Sequence, residues 1–127
     1  MQDNRDNHPL DLSYLKEMVG HDPEFMIEVL ETFLEQTPVY LVELNDALLN
    51  KDWKKVANCA HKIKPTFTYV GRDDVKDFVQ LIENDAKNEG NIDSLTTKVE
   101  ELHSVLDIIC IQIQDAIMNV KAVYNIG

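Results

Sequence analysis

The sequence predicts an all-α protein, an antiparallel up-and-down four-helix bundle with a short extra N-terminal helix. Three observations lead there. Apolar residues recur at spacings of three and four along most of the chain, the breaks between these stretches are short, and only four glycines and four prolines are available for loops. With 127 residues and 44% apolar content, the chain is long enough to bury one core and form one domain.

Residues 1–10 are polar and aperiodic and read as a loose leader, with the bundle domain occupying 11–127. Leu12, Leu15 and Val19 form a short helical stripe that stops at Gly20. The second helix opens at Asp22-Pro23, a capping residue followed by proline at the first helical position, where its missing N–H costs nothing. Phe25, Ile27, Val29, Leu30, Phe33 and Leu34 supply its apolar spacing, which resumes beyond Pro38 with Leu41, Leu44, Leu48 and Leu49. One long helix kinked at Pro38 and closed by Asn50-Lys51 is therefore expected. Asp52 caps a third helix with Val56, Ala60, Ile63, Phe67 and Val70 inward, ended by Gly71. A fourth runs from about Asp73 to Asn88, burying Val75, Phe78, Val79 and Ile82, and ends at Gly90. The fifth begins near Asp93 or Ser94 and buries Leu95, Val99, Leu102, Leu106, Ile109, Ile113, Ile117 and Val120. Its Val105–Ile113 stretch is β-branched enough to resemble a strand, but the surrounding helical period decides for helix.

Charge and composition remove whole classes of function. A net charge of −11 argues against nucleic acid as partner. No run of about 18 apolar residues suggests membrane insertion, and the N-terminus lacks the form of a secretory signal, so the cytoplasm is the expected compartment. Cys59 and Cys110 lie in apolar helical patterns and read as buried, reduced thiols. Between Lys51 and Lys76, seven basic residues face three acidic ones, a local balance of +4 that leaves −15 for the rest of the chain. Such an island would steer an acidic or phosphorylated partner toward one surface.

His61 sits inside this island. It lies about 100° round the third helix from inward-facing Ala60, at the edge of the buried stripe, so partial exposure is expected. Lys64, Pro65 and Thr68 follow at i+3, i+4 and i+7 on the same strip. An imidazole is a competent nucleophile near neutral pH, and phosphoryl transfer asks mainly for positioning and for cations around the phosphoryl oxygens. Ten residues separate His61 from Gly71, about 15 Å of helix, so an antiparallel fourth helix returns to its level near residues 82–87. Glu83 or Lys87 could there orient the ring or meet a phosphate.

The segment AHKIKPTFTYVG, residues 60–71, resembles the phosphoacceptor signature of the histidine phosphotransfer (HPt) domain family, H-x-x-K-G with a second glycine six residues later. His61, Lys64 and Gly71 match in type and spacing, and Asp52-Trp53 at the start of the helix is similar too. The resemblance runs over nearly the whole chain, because the family fold is a four-helix bundle with this helix order. It implies that His61 is the phosphoacceptor of a multistep two-component phosphorelay and that Lys64 stabilises the phosphoryl group. It favours Glu83 as the supporting residue. The chain would then be a carrier without ATP-dependent kinase activity of its own. Its partners would be receiver domains of response regulators and a hybrid sensor kinase. It would bind no cofactor, Mg²⁺ being held by the receiver. A monomer is expected, meeting its partner through Asn58, Pro65, Thr68 and Gly71, with Lys54 and Lys62 close by. The departure is Pro65, where the family usually has a glycine that leaves room for the receiver. Lacking an N–H, Pro65 cannot bond the His61 carbonyl, which predicts a local distortion of the helix.

Two other readings compete. A di-iron carboxylate bundle needs Glu-x-x-His on two helices, and only Glu100 and His103 supply it, so His103 reads as a surface residue and no metal is expected. A non-catalytic interaction bundle would keep the core and the basic island without using His61.

Overall fold

The computed structural model describes residues 9–88 and 91–126. Five helices follow in order: α1 (Ser13–Met18), α2 (Pro23–Leu49), α3 (Trp53–Tyr69), α4 (Asp73–Lys87) and α5 (Ile92–Val123). Residues 1–8 of the expected leader and Gly90, the expected end of α4, lie outside the described residues. Leu10 is half-buried against the core.

The helix starts follow from local chemistry. Asp22 Oδ1 accepts from the backbone N–H groups of Glu24 and Phe25 at 3.0 and 3.2 Å, satisfying donors that the first turn leaves without helical partners. Asp52 serves Lys55 N–H in the same way at 3.1 Å. Asn91, rather than Asp93 or Ser94, caps α5, taking the N–H groups of both those residues at 2.8 and 3.1 Å. Pro38 and Pro65 stay within continuous helices. Val105–Ile113 is helical throughout.

The four long helices pack α2 on α3, α3 on α4, α4 on α5 and α5 back on α2. Side-chain pairs that descend on one helix as they climb the other, His61 with Glu83 and Lys64 with Gln80, show that α3 and α4 run antiparallel. The core is the expected apolar stripe of each helix, with Leu30, Leu44, Val56, Ala60, Val79, Ile82, Leu102, Ile109 and Ile113 all fully buried. Some expectations fail at its edges. Phe25 and Leu49, one near each end of α2, are exposed. Cys59 is buried but Cys110 only half-buried, and both are free thiols. His103 is also half-buried, its Nε2 2.9 Å from Asn45 Nδ2, so it joins α5 to α2 instead of facing solvent.

The α3–α4 turn packs closely against the segment before α1. Gly71 adopts φ +71° and packs directly against Asp11, whose N–H donates to the Val70 carbonyl at 3.0 Å. Tyr14 of α1 stacks on Tyr69 with ring centroids 6.1 Å apart. Arg72, completely buried, makes two 3.0 Å hydrogen bonds to the Asp74 carboxylate.

Candidate functional site

α3 carries Lys54, Asn58, His61, Pro65 and Thr68 along one outward strip, and α4 carries Lys76, Gln80, Glu83 and Lys87 along the strip beside it. Where the two meet there is a shallow depression lined by His61, Lys64, Pro65 and Thr68 from α3 and Lys76, Asp77 and Gln80 from α4. The His61 side chain is 70% exposed, whereas Glu83 beneath it is 3% exposed. The apolar faces of α3 and α4 hold both backbones against the core, so the imidazole projects from a rigid helix rather than a loop.

Glu83 is the centre of the charge arrangement. Its Oε2 lies 3.3 Å from His61 Nδ1 and 2.9 Å from Lys87 Nζ, and its Oε1 lies 2.7 Å from Lys64 Nζ. The Lys64 contact is a close ion pair rather than a well-directed hydrogen bond to Oε1, since the ammonium also donates to Gln80 Oε1. Burial is the largest single influence on the Glu83 carboxyl and would push it up, but Lys64 and Lys87 together outweigh it and hold it down at about 2. Gln80 is fixed in turn by its Nε2, which donates to Asn84 Oδ1 at 2.9 Å. An anion buried among cations from two helices thus steadies one face of the ring and one ammonium beside it.

The structure brings His61, Lys64, Glu83 and Lys87 together, with Pro65 and Thr68 on the rim and Asn58 and Lys54 exposed farther along the α3 strip. Other expected residues lie elsewhere. Lys62 points to α2, 3.7 Å from Glu43 and with its ammonium 5.3 Å from the Tyr40 ring centroid. Gly71 does not line the depression. The basic island is narrower than its sequence suggests, because Arg72 is buried on Asp74 and adds nothing to the surface around His61. Gln80 has no part in the sequence reading, and Lys76 enters it only as a member of the basic island. Their spacing of three and seven residues before Glu83 is the signal that would have found them.

Among the described residues, no group of three His, Cys, Asp or Glu side chains is placed to hold a metal ion. No helix among them is long and apolar enough to cross a membrane. An exposed nucleophilic imidazole with an ammonium beside it, on a continuous helix, suits transient covalent carriage of a phosphoryl group.

Comparison with known proteins gives the same direction. No curated protein and no solved structure matches the chain. A family model described as the Hpt domain matches residues 28–121, which include all of α3 and α4 and most of α2 and α5. Hpt domains are helical bundles that carry phosphoryl groups on histidine in phosphorelay signalling, interact with receiver domains, and are not kinases. The match covers well over half of the chain and contains the whole His61 site, and this chain belongs to the Hpt domain family.

Proposed function

We propose that His61 accepts a phosphoryl group from the phosphoaspartate of one receiver domain and passes it to the aspartate of another, in a multistep two-component relay fed by a hybrid sensor kinase. The observation that carries this reading is the division of labour around the ring. Glu83 engages Nδ1, which leaves Nε2 as the nitrogen available to attack phosphorus. Lys64 supplies positive charge beside it and Lys87 a second cation on the same carboxylate. Neighbouring Lys54 and Lys76, with Asn58, Pro65 and Thr68, form the surface a receiver would meet. Mg²⁺ belongs to the receiver's acidic pocket in this reading, and the basic surround of His61 complements that acidity. The carrier works as a monomer in the cytoplasm, where its receivers are, and takes no phosphoryl group from ATP itself.

Incubation with a phosphorylated receiver domain tests the proposal. The wild type should acquire label, His61→Gln none, and Lys64→Ala should be labelled at a rate reduced about 10-fold or more, as expected when a charge-stabilising group is lost. Equal labelling of wild type and His61→Gln, or none on the wild type with several receivers, would leave a non-catalytic interaction bundle as the better account.

A further inference from the structure

Pro65 stands where a partner must cross α3 to reach His61. Resting on the reading that His61 exchanges phosphoryl groups with receivers, we infer that the Pro65 ring is a steric filter, restricting which receiver domains come close enough for transfer.

The ring cannot be bypassed. Pro65 is exposed and follows His61 by four residues on the same strip of α3, about 6 Å along the helix axis. Both line the depression, with Thr68 beyond them. In loading, the Nε2–P bond forms as the acyl phosphate O–P bond breaks, and the electron pair leaves with the receiver carboxylate. In unloading, a carboxylate oxygen of the second receiver bonds to phosphorus and the Nε2–P pair returns to the ring. Neither step needs a further reactant, but each needs phosphorus within about 3.5 Å of its attacking atom. Even a weak encounter covers about 600 Å² on each partner, a disc about 14 Å in radius, so a receiver seated on His61 also lies over Pro65.

Nor can the ring give way. Proline has no rotamer to change, whereas Thr68, Lys76 and Asp77 around the same depression can turn aside. Lys64 is already drawn down onto Glu83 and Gln80 and its side chain is only 16% exposed, so it does not shield the ring. The helix beneath cannot retreat, because Ile63 and Phe67 on either side of Pro65 are packed into the core. Pro65 is thus a fixed obstacle among movable ones. Receivers with a small or concave surface beside the phosphoaspartate fit over it. Those with a bulky side chain there are held back from Nε2. A mismatch of one or two carbons at such a close contact is worth about tenfold or more in rate. Since the family usually has glycine at this position, the selectivity belongs to this chain and not to the common function.

The test compares wild type with Pro65→Gly, Pro65→Ala and Pro65→Val. Each protein is labelled with phosphoramidate, a donor too small to cover Pro65, and then mixed with a panel of receiver domains of unrelated sequence. Every transfer rate is divided by the same protein's phosphoramidate labelling rate, which corrects for any change at His61 itself. Valine separates the bulk of the ring from its effect on the helix, since it matches proline in side-chain carbons and is stiff at χ1 but restores the backbone N–H. Receivers that are slow with wild type should gain about tenfold or more with Pro65→Gly and less with Pro65→Ala, while Pro65→Val stays close to wild type. Receivers that wild type already uses well should gain little, so the spread across the panel narrows. Exchange with Pro65→Gly by receivers that wild type refuses altogether would show the filter at its strongest. An unchanged ranking and spread in Pro65→Gly overturns the inference and leaves the relay standing. Equal gains in all three variants also overturn it, because the helix and not the ring would then be responsible. Labelling by phosphoramidate without exchange between any of the proteins and any receiver refutes the relay, and the filter falls with it.

Discussion

Replacing Gly71 with alanine tests how the α3–α4 turn holds the N-terminal segment. Gly71 has φ +71°, a backbone region that costs an L-residue about 1–2 kcal/mol. A Cβ there would also fall 2.5 Å from Asp11 Cβ and 2.9 Å from Asp11 Cα, with the Asp11 carbonyl oxygen closer still. Asp11 cannot simply withdraw. Its N–H donates to the Val70 carbonyl at 3.0 Å and its Oδ1 accepts from Ser13 N–H at 3.0 Å, at the start of α1. Forced overpacking of this kind costs about 1–3 kcal/mol. The expected loss is therefore about 2–5 kcal/mol, a large share of the roughly 5–15 kcal/mol that holds a typical domain. Gly20 is the matched control, since it has φ +66° and nothing within 4 Å of an added Cβ. Gly20→Ala should lose only the backbone part, about 1–2 kcal/mol. Urea unfolding followed through the single tryptophan, Trp53, measures both. Equal losses at the two glycines would refute the close-contact argument. The His61 site lies about 15 Å away along α3, so Gly71→Ala that is still folded should accept phosphoryl groups at close to the wild-type rate.

Pro65 is exposed within α3, where proline forfeits a helical hydrogen bond to the His61 carbonyl, so Pro65→Ala should stabilise the chain by about 1–3 kcal/mol. A neutral or destabilising result in urea unfolding would mean that the helix had already adapted to the ring. Ile109 is fully buried at the middle of α5, and Ile109→Ala should cost about 2–5 kcal/mol with His61 labelling retained below the new midpoint. The Glu83 carboxyl is held at about 2 in the folded chain against an ordinary 4.5, so its ion cluster contributes fully above about pH 4.5 and is lost as pH falls toward 2. The stability gap between wild type and Glu83→Gln, read from urea midpoints at stepped pH, should therefore shrink on acidification, and a gap that widens would contradict the sign of the shift.

Most of the architecture was legible because it follows from short-range rules. Apolar periodicity marked every long helix, and Asp22, Asp52 and Gly20 mark boundaries through cap and turn chemistry that acts within a few residues. The level of Glu83 was legible for a related reason. Once α3 and α4 are taken as antiparallel, residue counting at a fixed rise per residue sets His61 opposite it. What could not be read was the direction of long charged side chains. Lys62 and Arg72 sit in the same basic stretch as Lys64, yet Lys62 turns to Glu43 and Arg72 is buried on Asp74. Their partners are chosen by tertiary packing that composition does not encode. Phe25 and Leu49 failed for a different reason, since periodicity describes a face and does not say which of its residues other helices cover.

The fate of Glu83 shows how the site and the bundle depend on each other. A carboxylate that is 3% exposed is costly to bury unless it is paired, and it is paired here by residues of both α3 and α4. Those two helices form the closest interhelical packing in the bundle, so the pairing geometry is set by the apolar residues Ile63, Phe67, Val79 and Ile82 behind it. The cations held on Glu83 share the carboxylate that contacts His61 Nδ1. In the proposed relay, a phosphoryl group arriving at Nε2 would not have to recruit charge from distant, solvated lysines, because it would compete for ammonium groups already gathered on Glu83. In that reading the competition would lower the reorganisation needed in either direction of transfer, which suits a carrier that must accept and release the same group with little net driving force.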